Sequence, residues 1–102
     1  MSYEFLAPLP EEATRLSSKL LQALILRLPL ALVSMSQDKL SLRWTHLPAR
    51  AEWPEDIDLS CDANGILVSI HMGSAEQRRS LLDVLAEELS KASGIAVEFE
   101  EQ

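Results

Sequence analysis

The side chains able to act as nucleophile, base or metal ligand are few in this sequence, and their spacing limits what they do. Cys61 is the single cysteine, and His46 and His71 are the two histidines. A Cys–His nucleophilic pair requires both side chains within hydrogen-bond reach. Cys61 and His71 fall in two alternating runs joined by Asn64-Gly65, and pairing across that turn sends them to opposite faces. Cys61 is therefore expected to be a buried structural cysteine, as free cysteines commonly are.

Ser69, His71 and Asp58 form the sharper constellation. Ser69 and His71 lie two apart on one run, with Asp58 expected across from His71, so acid, base and nucleophile would share one exposed surface. A flat strand face supplies neither oxyanion donors nor a cleft that excludes water, and a solvated Asp–His pair explains the same residues. Metal binding is expected to be absent. Asp56, Asp58 and His71 come nearest to a ligand set, but neither histidine has a partner cysteine or second histidine at ligand spacing. Asp62-Ala63-Asn64-Gly65 opens like a calcium loop, yet the bidentate glutamate expected further on is replaced by the apolar run Ile66 to Ile70. Gly65, Gly73 and Gly94 are each accounted for by a turn or a cap, which leaves no glycine-rich phosphate loop, and no cofactor is expected.

The elements that must position these residues read as follows. Residues 1–9 form an N-terminal segment whose Tyr3, Phe5, Leu6 and Leu9 pack as a staple ahead of a helix over 10–28. That helix opens with Pro10, Glu11 and Glu12, repeats Leu16, Leu20, Ala23 and Leu24 on one face, and ends at Pro29. Leu21, Ile25 and Leu28 widen its apolar stripe beyond one sheet contact, which predicts a deep position or an oligomer interface.

Residues 30–45 read as a hairpin about Ser36-Gln37-Asp38, with Leu40, Leu42 and Trp44 on the dry face and Ser41, Arg43 and Thr45 on the wet one. Residues 46–55 are a loop anchored by Trp53. Trp53 and Tyr3 serve equally well as core or as interface anchors. Residues 56–72 read as a hairpin with Asn64-Gly65 as a type I′ turn, pairing Cys61 with Val68, Leu59 with Ile70 and Asp58 with His71. Ser74 and Gln77 predict a capping box, a helix follows over 74–93 with Gly94 as its left-handed cap, and a final strand covers 95–100.

The expected fold is α+β, with two amphipathic helices on one face of a mainly antiparallel five-stranded sheet in the order α-β-β-β-β-α-β, within one domain of 102 residues. The other face is expected to display Arg43, Asp58, Ser60, Asp62, Ser69, His71, Glu98 and Glu100 to solvent.

Charge excludes some partners. The net charge is −7: residues 1–46 hold five basic and four acidic side chains, and residues 47–102 hold four basic and twelve acidic. With Arg78-Arg79 as the only adjacent basic pair, binding to a phosphate backbone is disfavoured. The apolar run Leu20 to Met35 is broken by Gln22, Arg27 and Pro29, too short for a bilayer of ~30 Å. A lone cysteine, and acidic residues where a secretory signal would be basic, predict a reducing, cytoplasmic setting.

The sequence thus predicts a non-enzymatic protein-interaction module, whether adaptor, chaperone-like subunit or inhibitor of the immunity-protein kind, acting through its open sheet face or an edge strand. The partner is expected to be a basic protein met by Arg43, Asp58, Asp62, His71, Glu98 and Glu100. The alternatives are a small hydrolase or ligand-binding protein using Asp58, Ser69 and His71, and a structural homodimer formed through Leu21, Ile25 and Leu28.

Overall fold

The computed structural model describes residues 2–10, 16–48 and 54–102, with Asp62 described by its backbone alone. Elements run β1 (Tyr3–Pro8), α1 (Ser18–Arg27), β2 (Leu30–Met35), β3 (Lys39–Trp44), β4 (Ile57–Asp62), β5 (Gly65–Ile70), α2 (Ala75–Ser93) and β6 (Glu100–Glu101). The fold is α+β with an antiparallel sheet and two helices, and the sheet has six strands instead of five, ordered β2-β3-β4-β5-β1-β6. The additional strand is β1. It inserts beside β5 with Tyr3 opposite Ile70, Phe5 opposite Val68 and Ala7 opposite Ile66, so the N-terminal staple expected from sequence is a sheet strand.

One face of that sheet is apolar across every interior strand. Leu40 faces Leu59, Leu59 faces Val68 and Val68 faces Phe5, while Leu42, Ile57 and Ile70 form the next row. These side chains share a single buried cluster with Leu20 and Leu24 of α1 and Leu81, Leu85 and Leu89 of α2. Each fully buried leucine or isoleucine contributes about 1.5–3 kcal/mol of transfer free energy, which makes this layer the main source of stability.

Local chemistry sets the element boundaries. Ser17 caps α1 by accepting the Leu20 N–H at 3.2 Å, so the described helix begins at Ser18 instead of running on from Pro10. Glu11 and Glu12, expected at the start of that helix, lie outside the described residues, as does Trp53. Pro29 forces Leu28 into the extended region and stops α1. In α2, Ser74 and Gln77 make the reciprocal capping box and Gly94 closes the helix at φ 74°.

The final strand is shorter than expected. After Gly94 the Val97 N–H donates to Ser90 Oγ at 3.0 Å, which holds residues 95–99 against α2, and pairing with β1 begins only at Glu100. The second hairpin is also displaced: Asp62 pairs with Gly65, Cys61 with Ile66, Leu59 with Val68 and Asp58 with Ser69, two positions from the register a type I′ turn would impose. The turn residues are Ala63-Asn64, and among the described residues no non-glycine has positive φ. Gly65 is instead a strand residue where the β1 backbone passes too closely for any side chain.

Candidate functional site

On the face away from the helices, β3, β4 and β5 bring three polar side chains together. The Ser41 hydroxyl donates to Asp58 Oδ1 at 2.6 Å, and His71 Nε2 lies 3.0 Å from Asp58 Oδ2. The carboxylate therefore sits between hydroxyl and imidazole. A serine nucleophile is activated by a histidine placed next to it and oriented by the acid behind; here Ser41 meets the acid directly, 4% exposed. Ser69 faces Asp58 across the ladder, as its backbone partner. The Asp58–His71 pairing expected from sequence is present, but diagonal to the ladder instead of directly across it.

Asp56, at the entrance to β4, is a buried carboxylate with a structural task. Its Oδ2 accepts the Trp44 N–H at 2.9 Å, its own N–H donates to Leu42 O and its carbonyl accepts from His71 N–H. Cys61 is half-exposed, contrary to the buried cysteine expected, because the shifted register brings it near the hairpin tip with Sγ 3.7 Å from Asp38 O. Among the described residues no three metal-ligating side chains come together.

The residues expected to form one acidic face are spread over the molecule. Arg43 is on β3 opposite Ala31 of the outer strand β2, and Asp58 is engaged by Ser41 and His71. Asp62 ends β4, paired through its backbone with Gly65. Glu100 is on β6, separated from β4 by β5 and β1. Glu98 precedes β6 and lines a surface groove of about 610 Å³ beside α2, with Phe5, Arg79, Asp83, Val97 and Phe99. That rim carries both signs of charge.

The opposite edge differs in character. Among the described residues no strand lies outside β2, and from Leu28 to Gln37 the chain has no charged side chain. Edge strands are usually protected by charge, proline, a bulge or extreme shortness; β2 has six residues, no charge, and a single register irregularity between Leu32 and Ser34. Leu32 and Met35, opposite Leu42 and Leu40, point to the helix side yet remain 46% and 40% exposed.

The cause of that exposure is where α1 sits. Arg27 bonds Glu87 and Glu88 of α2, which turns one flank of α1 toward its neighbour. The hydrogen bond to Arg27 holds the Glu87 carboxyl below the usual glutamate range and raises the guanidinium. Both groups are solvated, so the contact orients α1 more than it stabilises it. Residues two apart on a helix are about 200° apart, so Ile25 points away from α2 and is 42% exposed. Leu21 and Leu28 flank it at helical spacing, each half-buried. Leu21, Ile25 and Leu28 thus leave an apolar flank on α1, and Leu32 and Met35 leave exposed apolar side chains on β2, whose outer side pairs with no strand among the described residues.

Sequence reasoning finds the apolar flank of α1 through its over-wide stripe. The exposed apolar side chains of β2 are not legible, because strand order is not a local property of the chain. Compared with known proteins, the chain matches no family model, no curated protein and no solved structure, so geometry carries the functional reading. No described helix is long and apolar enough to cross a membrane.

Proposed function

We propose that this chain is a non-enzymatic protein-interaction module that binds by strand addition at the β2 edge. One observation supports it above the others: an uncharged six-residue strand at the sheet edge carries the apolar side chains Leu32 and Met35 exposed. Strand addition draws affinity from backbone hydrogen bonds and specificity from side chains on alternate positions. Here the backbone groups are the outer edge of β2, and the side chains are Leu32 and Met35. The acidic surface expected from sequence supports a basic partner less well, since Asp58 is already engaged and Glu98 and Glu100 lie at the far side of the sheet.

Leu32→Lys tests this reading. Lysine on an exposed edge strand opposes pairing and lets its charge reach water, so the fold should lose about 1 kcal/mol or less. In an extract of the source cells, wild-type protein is expected to travel as a particle larger than its own 11.4 kDa, and the variant as the free chain. A particle of unchanged size with the lysine in place would refute binding at β2.

A further inference from the structure

We infer that the partner of the β2 edge is a second copy of this chain, the two β2 strands pairing antiparallel about a two-fold axis. This rests on the preceding reading of β2 as the interaction surface and names its occupant. Charge is the first argument. A seam made by β2 against itself contains no charged side chain, because Leu28 to Gln37 carries none, so two chains of net charge −7 can meet there. Residues 54–102 hold eleven acidic and three basic side chains, whereas residues 18–48 hold one acidic and four basic. The acidic edge β6 is five strand spacings from β2, about 24 Å. In the paired molecule the two β6 edges lie outermost, several Debye lengths from the seam at ~8 Å each.

The other edge supplies the second argument. β6 has only two residues, Glu100 and Glu101. Pairing β6 with itself would oppose glutamates, and pairing β6 with β2 would engage two residues of a six-residue edge. One edge is thus closed to copies of the chain and the other open, which selects the isologous arrangement and ends assembly at two. The exposed apolar side chains of β2 fit the same symmetry. A two-fold axis perpendicular to the sheet at the middle of the seam keeps the helix sides of both chains on one face, so Leu32 and Met35 of one chain lie on the same face as those of its partner, each position toward one end of β2 meeting one toward the other end. A foreign strand would need its own apolar side chains to match; a second copy has them by construction.

Sedimentation equilibrium of the purified chain, from low to high micromolar concentration, tests the inference. Wild type is expected to approach twice 11.4 kDa. Leu32→Lys is expected to raise the dimer dissociation constant at least about tenfold, a loss of ~1.4 kcal/mol, with circular dichroism unchanged. Glu100→Lys, at the far edge, should leave the mass as in wild type. A wild-type chain that stays monomeric throughout overturns self-pairing. In that case, a Leu32-dependent particle in the cell extract leaves the β2 reading standing with a foreign partner, and its absence removes both. Masses that grow past two copies, or a Leu32→Lys variant that dimerises normally, also overturn the two-fold arrangement.

Discussion

Gly65→Ala is expected to remove roughly 3–5 kcal/mol of stability, a large part of the ~5–15 kcal/mol a small domain has. A Cβ at position 65 would lie 2.0 Å from the Ala7 carbonyl oxygen and 3.0 Å from both Ala7 C and Leu9 N. All three are backbone atoms, so no side chain can rotate to relieve the clash. The backbone adds to the cost, since φ at Gly65 is +142°, a region L-residues rarely occupy. Relief requires β1 to part from β5 at its Pro8 end, and β6, which among the described residues pairs only with β1, would lose its support too. Asn64→Ala is the informative comparison. A type I′ turn would make positions 64 and 65 similarly demanding, whereas here Asn64 has ordinary φ and its replacement should cost about 1 kcal/mol. Chemical denaturation of the two variants checks this, and comparable losses would restore the type I′ turn.

Trp44→Ala is expected to cost about 3–5 kcal/mol, by lost transfer free energy and a cavity the sheet cannot close. Trp44 is 1% exposed, its indole N–H donates to Met72 O at 2.8 Å, and its ring lies against His46. Trp44→Phe separates the two contributions. It keeps most of the apolar volume but leaves the Met72 carbonyl without its indole donor, so a smaller loss of about 1–3 kcal/mol is expected. Denaturant midpoints should rank wild type, then Phe, then Ala. Equal losses for both variants would mean that the hydrogen bond, and not burial, dominates at this position.

These two residues also mark how far the sequence was legible. Trp44 was assigned to the dry face from its alternation with Leu40 and Leu42, and all three are buried. The α2 caps were readable because Ser74, Gln77 and Gly94 act within a few residues of themselves. Gly65 was read as a turn residue because Asn-Gly is a strong local signal, but its glycine is demanded by Ala7, 58 positions earlier in the chain, through a contact that no local pattern encodes. The resulting error of two positions kept every side chain on its expected face, since faces alternate with period two. That is why Asp58 and His71 meet as anticipated despite the wrong register.

Long-range pairing accounts for the remaining differences. The alternation of Tyr3, Phe5 and Ala7 fits a strand, but its pairing partners in β5 lie 57 to 67 positions further along the chain, beyond the reach of a local pattern. Once β1 takes the place beside β5, the C-terminal strand is displaced to the outside, and Glu100 leaves the neighbourhood of Asp58. The same ordering exposes β2. The acidic residues expected on one face are thereby distributed over several strands, and the uncharged strand β2 lies at the sheet edge among the described residues.

Amide hydrogen exchange along β2, in the particle isolated from the source cells, tests the central claim most directly. The β2 amides that do not bond to β3 are expected to exchange as slowly as those of the interior strands β4 and β5, and to become fast in Leu32→Lys while β4 and β5 stay protected. Fast exchange at those β2 amides in both proteins would mean that nothing pairs with this edge, and would contradict the account.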